Sequence, residues 1–316
     1  MAGEARQFGS HVRGELGKVI VGQQDAVHQL LVVLLCGGHA LLEGVPGIGK
    51  TLTVKVLARI CRLNFQRVQC TPDLMPADIL GTSVYSMTSG AFTLRRGPVF
   101  TDLLLVDEVN RMPPRTQAAL LESMEERQVT IDGARHPLSA FFAVFATQNP
   151  VEFEGTYPLP EAQLDRFLLK IRLDYPKAED EVEILNRYQG GFDARELDRL
   201  GLQPVETELL AAARREAGAV RVEEGLFRYI SSIVRRTREW PALSLGASPR
   251  ATVYLMLAAK ALAVIDGRDY LIPDDVKAAA PPVLRHRLMV KPEADLEGVT
   301  PDHVVSEVLA GVEVPK

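Results

Sequence analysis

The chain has 316 residues, 47% apolar and 24% charged, enough for two domains with buried cores. A net charge of −5 with no strongly basic stretch argues against a dedicated nucleic-acid binder. Three scattered cysteines (Cys36, Cys61, Cys70) without CxxC spacing and six dispersed histidines without HExxH argue against a disulfide frame and show no zinc site.

In chain order, the N-terminus lacks the apolar segment of a signal peptide, and the longest apolar run, near residues 30–35, is too short to span a membrane. Reduced thiols and a cytoplasmic location are therefore expected. Residues 8–19 read as a helix. Ile20-Val21-Gly22-Gln23 breaks the pattern, and helical spacing resumes over 24–36 until Gly37-Gly38 ends it. The turn Ile20-Val21-Gly22 is placed to wall an adenine ring, or Ile20 and Val21 are ordinary core residues, and the sequence leaves both readings open. An apolar run at 39–42 predicts a strand. It leads into Gly44-Val45-Pro46-Gly47-Ile48-Gly49-Lys50-Thr51, which fits the phosphate-loop pattern G-x-x-x-x-G-K-[ST], and residues 51–60 predict the helix that must follow. Three glycines let the backbone curl until its N–H groups face a polyphosphate. The helix start, continuing through Leu52, adds its unsatisfied N–H groups and partial positive charge. Lys50 is placed to reach the β- and γ-phosphates, and Thr51 to ligate Mg²⁺.

Residues 64–70 read as extended, and 71–81, with two prolines, as irregular at first. Strands at 83–87 and 91–95, joined by Thr88-Ser89-Gly90, predict a hairpin that must pack on something or project to contact something. The apolar strand at 101–106 has the character of one buried on both faces in a parallel sheet, and it ends in Asp107-Glu108. There Asp107 is suited to hold the water shell of Mg²⁺, and Glu108 to polarise a water for attack on the γ-phosphate. A helix at 113–127 precedes a second hairpin at 128–135 around Asp132-Gly133. The strand at 141–146 closes in Thr147-Gln148-Asn149-Pro150. In a doubly wound sheet this point lies beside the phosphate-loop strand, where Asn149 is placed to orient the attacking water while starting a turn. A short helix at 159–167 ending in Arg166 and a last strand at 168–173 complete an α/β domain over residues 1–175, with ligands expected at the carboxyl ends of the strands.

Beyond residue 176 strand-like segments vanish. Stretches 179–188, 206–218, 223–240, 248–266 and 273–288 read as helices, punctuated by Gly190-Gly191 and Pro281-Pro282, so residues 176–316 form an all-helical second domain. Ser248 caps one helix and Pro249 takes its first position. Arg250 then either reaches phosphate in a neighbouring site or is a solvated surface charge.

The set of Val21-Gly22-Gln23, the phosphate loop, Leu-Leu-Leu-Val-Asp107-Glu108, Ala-Thr-Gln148-Asn149-Pro150, Leu-Pro-Glu-Ala-Gln-Leu-Asp165-Arg166-Phe167 and Ala-Ser-Pro-Arg250 resembles the MoxR family of AAA+ ATPases over nearly the whole chain. The resemblance implies a P-loop NTPase αβα sandwich with a parallel sheet, followed by an all-helical lid. It implies that Gly44 to Thr51 are Walker A, Asp107 and Glu108 Walker B, and Asn149 sensor 1. Arg166 would be an arginine finger entering a neighbour's site, and Arg250 sensor 2, acting on its own or the adjacent subunit. The hairpins would be the helix-2 insert, about 71–98, and the pre-sensor-1 hairpin, about 128–137. It further implies hydrolysis of ATP to ADP with Mg²⁺ in a homo-oligomeric ring, mostly hexameric. Such rings act as chaperone-like remodellers or maturation factors for client proteins, often with von Willebrand factor A-domain partners. A magnesium-chelatase-like motor subunit and a nucleic-acid motor of the same superclass are the alternatives. For the latter, the second hairpin offers Arg127, Arg135 and His136 but also Asp132.

Overall fold

The computed structural model describes residues 3–88, 90–149 and 156–315; Ser89 of the expected first turn and Pro150 after Asn149 lie outside the described residues. The first part of the chain runs α1 (Glu4–Gly17), α2 (Gln24–Cys36), β1 (Ala40–Glu43), α3 (Lys50–Ile60), β2 (Phe65–Gln69) and α4 (Pro76–Leu80). The hairpin β3 (Gly81–Ser86) and β4 (Ala91–Arg96) follows, then β5 (Leu103–Asp107) and α5 (Pro114–Glu126). A second hairpin, β6 (Gln128–Ile131) and β7 (Ala134–Pro137), precedes β8 (Ala143–Gln148), α6 (Glu161–Leu164) and β9 (Leu169–Arg172). The remainder runs α7 (Ala178–Gln189), α8 (Thr207–Ala219), α9 (Glu224–Arg238), β10 (Leu243–Leu245), α10 (Pro249–Ile265), α11 (Pro273–Leu284), β11 (Met289–Val290), α12 (Pro292–Leu296) and α13 (Pro301–Gly311).

Five strands form one parallel sheet in the order β2-β5-β8-β1-β9. The uninterrupted apolar run of β5 has its cause here, because both faces of that strand are covered. Leu103 and Leu105 join a core containing Leu30, Leu34 and Leu57 from α2 and α3. Leu104 and Val106 point the other way, to Leu120, Leu121 and Met124 of α5. The sheet is thus sandwiched between helices, and the ends of β1, β5 and β8 lie side by side where the ligand site must be. The helical lid shares the first of these cores. Phe8, Val12 and Leu16 of α1 are fully buried with Leu210, Ile230 and Leu255 of the lid.

The lid departs from the expectation of helices alone. β10 and β11 pair antiparallel, Leu243 opposite Val290, and the pairing is reinforced where Ser244 Oγ donates to Met289 O at 3.1 Å. Strands this short carry no readable alternation. Pro281 and Pro282 do not separate helices but sit in the last turns of α11, which stops at Leu284. The chain then adds α12 and α13, both starting on a proline at the first helical position. In the first part, α6 ends at Leu164, so Arg166 lies just past that helix and not within it.

Candidate active site

The phosphate loop leaves β1 at Gly44, where a Cβ would stand 2.7 Å from the carbonyl oxygen of Leu173, so only glycine fits. Gly49 caps α3 in the left-handed region at φ 92°, which a residue with a Cβ rarely adopts. The loop and the first turn of α3 line a cavity of about 370 Å³ together with Arg67, Gln69, Asp107, Glu108, Thr147 and Asn149. Lys50 Nζ donates to Gly44 O and, at 3.2 Å, to Val45 O, which holds its ammonium over the loop.

Asp107 ends β5, nearly buried, and is held from three sides. Thr147 Oγ1 donates to its Oδ1 at 2.6 Å, while Arg67 reaches its Oδ2 through Nε at 3.1 Å and Nη2 at 2.6 Å. Thr51 Oγ1 donates to the same Oδ2 at 3.4 Å. Glu108 sits in the left-handed region at φ 59°, an uncommon conformation for a side chain of its size. The turn is fixed by its own N–H, which donates to Thr147 Oγ1 at 2.8 Å. Its carboxylate accepts from Gln69 Nε2 at 3.0 Å and faces Arg111 Nε at 3.1 Å. Asn149, buried, follows the end of β8 beside β1, where Gln148 registers with Glu43.

A second cavity, of about 350 Å³, adjoins the loop. Val19, Ile20 and Val21 form one wall, Ile48 and Leu52 another, and Tyr175, Tyr188 and Phe192 a third. Gln23 Nε2 closes it with a 3.1 Å bond to Ile48 O. The two sequence readings of Ile20 coexist, since it lines this cavity and packs on the core. Gly22 does not line it; its backbone turns at φ +74°, and a Cβ there would meet the carboxylate of Asp180. α7 covers the cavity, and Arg187 Nη1 fastens it to the carbonyls of Gly17 and Lys18 at 3.1 and 2.9 Å.

Arg166 and Arg250 line neither cavity. Both guanidinium groups instead meet Glu125 on α5, Arg166 Nε at 3.7 Å from Oε2 and Arg250 Nη2 at 2.8 Å from Oε1. Each is about a third exposed, at 32% and 34%. The expected site residues therefore fall into three groups on one chain: a loop, acid and amide assembled around one cavity, Ile20 and Val21 on the adjoining one, and a pair of arginines outside both.

Comparison with known proteins agrees with this architecture. Residues 39–169 match the ATPase family associated with various cellular activities (AAA), and residues 235–308 match the AAA lid domain. The chain is 45% identical over 300 residues to the uncharacterized protein YeaC of Bacillus subtilis (strain 168), covering 95% of this chain and 92% of that one. It is 43% identical over 311 residues to Chaperone MoxR1 of Mycobacterium tuberculosis, covering 96% and 81%. This chain is a MoxR-family AAA+ ATPase. The crystal structure of a candidate ATPase from Cytophaga hutchinsonii superposes at TM-score 0.89 with 42% identity, covering 99% of this chain and 96% of that one.

Three donors of this MoxR-family site escape a reading of the sequence: Arg67, Gln69 and Thr147. Arg67 and Gln69 alternate on β2, and the register that sets Gln69 opposite Asp107 turns both toward the acidic pair. Their period-two spacing on a five-residue strand, with Val68 between them turned to the core, was the available signal. Thr147, read only as part of a turn, is the hydroxyl that holds both Asp107 and the backbone of Glu108. The donor set suits Mg²⁺. Thr51 and Asp107 present hard oxygens to one another, and Mg²⁺ commonly takes one or two protein oxygens plus waters and substrate phosphates. Among the described residues no cluster of three or more His, Cys, Asp or Glu could hold a metal by itself.

Proposed function

We propose that this ATPase works as a homo-oligomeric ring, most simply a hexamer, in which each subunit completes its neighbour's site and turnover drives chaperone-like remodelling or maturation of a client protein. The observation that carries this reading is that Arg166 and Arg250 stand outside both cavities of their own chain, partly exposed, on a shared carboxylate. The arginine that does line the phosphate cavity, Arg67, is engaged on Asp107, and an arginine finger added from outside supplies about 10³–10⁵ in rate. An Arg166 used by the next subunit makes the contact head-to-tail, and such contacts form a ring when the rotation per subunit closes.

Within one site, Ile20, Val21 and the aromatic wall take the adenine, and the loop N–H groups with Lys50 take the phosphates. Thr51 and Asp107 would hold Mg²⁺, which supplies charge neutralisation across the phosphates when bound. Glu108 accepts the proton of the attacking water, and Asn149 orients that water. Residues 1–175 then form the nucleotide-binding unit and 176–316 the lid that follows nucleotide state. The chaperone role is supported by the name of the Mycobacterium tuberculosis relative, and a von Willebrand factor A-domain protein is the proposed partner. A cytoplasmic setting is supported by three free cysteines, whose thiols burial pushes up to about 12. No helix among the described residues is long and apolar enough to cross a membrane.

The test is Arg166→Ala. Nucleotide affinity, read by fluorescence of a labelled ATP, is expected to hold while turnover falls by about 10³-fold or more. Undiminished turnover would remove the shared-site reading.

A further inference from the structure

The segment Asp165-Arg166-Phe167-Leu168 is bound along its length by side chains of the lid. Arg287, just past α11 with 1% of its side chain exposed, donates through Nε to Asp165 Oδ1 at 2.8 Å and through Nη2 to Asp165 O at 3.0 Å. It also donates to Phe167 O, and to Leu168 O at 3.3 Å. Ser248, at the start of α10, donates to the other Asp165 oxygen at 2.8 Å. His286 Nε2 lies 3.0 Å from Phe167 O, and Tyr254 OH lies 3.5 Å from Arg166 O. The Arg287 guanidinium stacks over the Tyr254 ring at 5.1 Å. Phe167 is fully buried, so Arg166 is the side chain of this segment that turns out to the surface charge on Glu125.

A buried guanidinium is costly. An apolar side chain of similar volume would often stabilise the fold as well or better, so a buried ion pair is weak evidence for stability. Arg287 stays charged at neutral pH although burial lowers it to about 10. What the charge provides is geometry: one planar fork holding a carboxylate and successive carbonyls at fixed angles. We infer that Arg287 is a positioning residue for the arginine finger, fixing residues 165–168 to the lid so that the orientation of the lid sets where Arg166 projects into the neighbouring site. This rests on the shared-site reading above. Its consequence is a coupling device: the segment is also tied to the sheet, where Leu168 N–H donates to His39 O at 2.8 Å and Phe167 packs with Leu120 and Leu121, so a lid that shifts with nucleotide changes the aim of the finger that serves the next subunit.

The experiment is subunit mixing with two lid variants. Arg287→Lys keeps a charge but loses the fork, and Ser248→Ala removes one bond to Asp165 and leaves the buried charge in place if the lysine variant fails to fold. Both are expected to bind labelled ATP as the parent does, within about twofold, while Arg287→Lys loses about 10²-fold in turnover, the cost of an ångström-scale misplacement. Ser248→Ala is expected to lose less, in the same direction. Each is then mixed with Glu108→Gln, whose own site is dead but whose finger is correctly held; Arg166→Ala mixed with Glu108→Gln is the reference. Recovery of turnover in both the reference and the lid-variant mixtures is the expected result. Recovery in the reference but not with the lid variants overturns the role assigned to Arg287 alone, placing its effect in its own chain's pocket. No recovery in the reference overturns the shared-site reading, and this inference with it.

Discussion

Arg67 and Thr51 converge on the same oxygen of Asp107: Arg67 Nη2 stands 2.6 Å and Thr51 Oγ1 3.4 Å from Oδ2. A guanidinium therefore occupies part of the coordination space a divalent cation would use. Arg67 is 47% exposed, so its hold is of the surface kind, about 0–1 kcal/mol. Arg67→Ala is expected to lower the Mg²⁺ concentration needed for half-maximal ATP binding, by up to about fivefold at that energy. A titration of labelled ATP with Mg²⁺ checks this, and an increased Mg²⁺ requirement would show that Arg67 assists the metal instead of contending with it.

Glu125 holds the side chains of Arg166 and Arg250 through its two oxygens. If both arginines leave it on assembly, the carboxylate stabilises the unassembled subunit and opposes the ring. Glu125→Gln is expected to change unfolding stability by less than about 1 kcal/mol, as partly exposed pairs do. It should shift the protein concentration for half-maximal specific activity downward. Sedimentation and activity measured across the same dilution series read this directly; a shift to higher concentration would make Glu125 part of the assembled interface.

His39 joins three elements behind the site. Val144 N–H donates to its Nδ1 at 2.9 Å, which puts the proton on Nε2, and Nε2 donates to Met124 O at 3.2 Å. Protonating Nδ1 would set two donors against each other inside the core, and burial lowers this imidazole to about 4. The unfolded chain, at the ordinary value of about 6.5, binds the proton first. Stability is therefore unaffected above pH 6.5 by this group, falls as the pH drops from about 6.5 to 4, and levels below that, by an order of about 3 kcal/mol in total. His286, also lowered by burial, adds loss in the same direction. Denaturant unfolding at a series of pH values is expected to show this slope, and His39→Gln should flatten part of it. An identical slope in the variant would place the acid sensitivity elsewhere.

The phosphate loop was legible because its requirements are local: a left-handed Gly49, a close approach at Gly44, and a Lys-Thr pair opening a helix. Asp107 was legible because a strand buried on both faces must be apolar until it reaches the site edge. Arg67 and Gln69 were not, since their role exists only through the register of β2 on β5. Arg287 lies inside the stretch 273–288 expected only to be helical; its burial comes from the packing of the end of α11 on the segment before β9. Gly22 was grouped with Ile20 and Val21 by adjacency, but the chain turns there, and its neighbour is Asp180. The β10–β11 pair is set by contacts across more than forty positions of sequence, Leu243 to Val290, which no local pattern records.

The dependence of turnover on assembly is the claim to test most directly. Specific activity per subunit should be measured across a dilution series whose oligomeric state is followed by light scattering or sedimentation. It is expected to fall with the population of assembled rings and to reach, for the monomer, a rate about 10³-fold or more below the assembled value. A specific activity that stays constant down to a demonstrably monomeric sample would contradict the account.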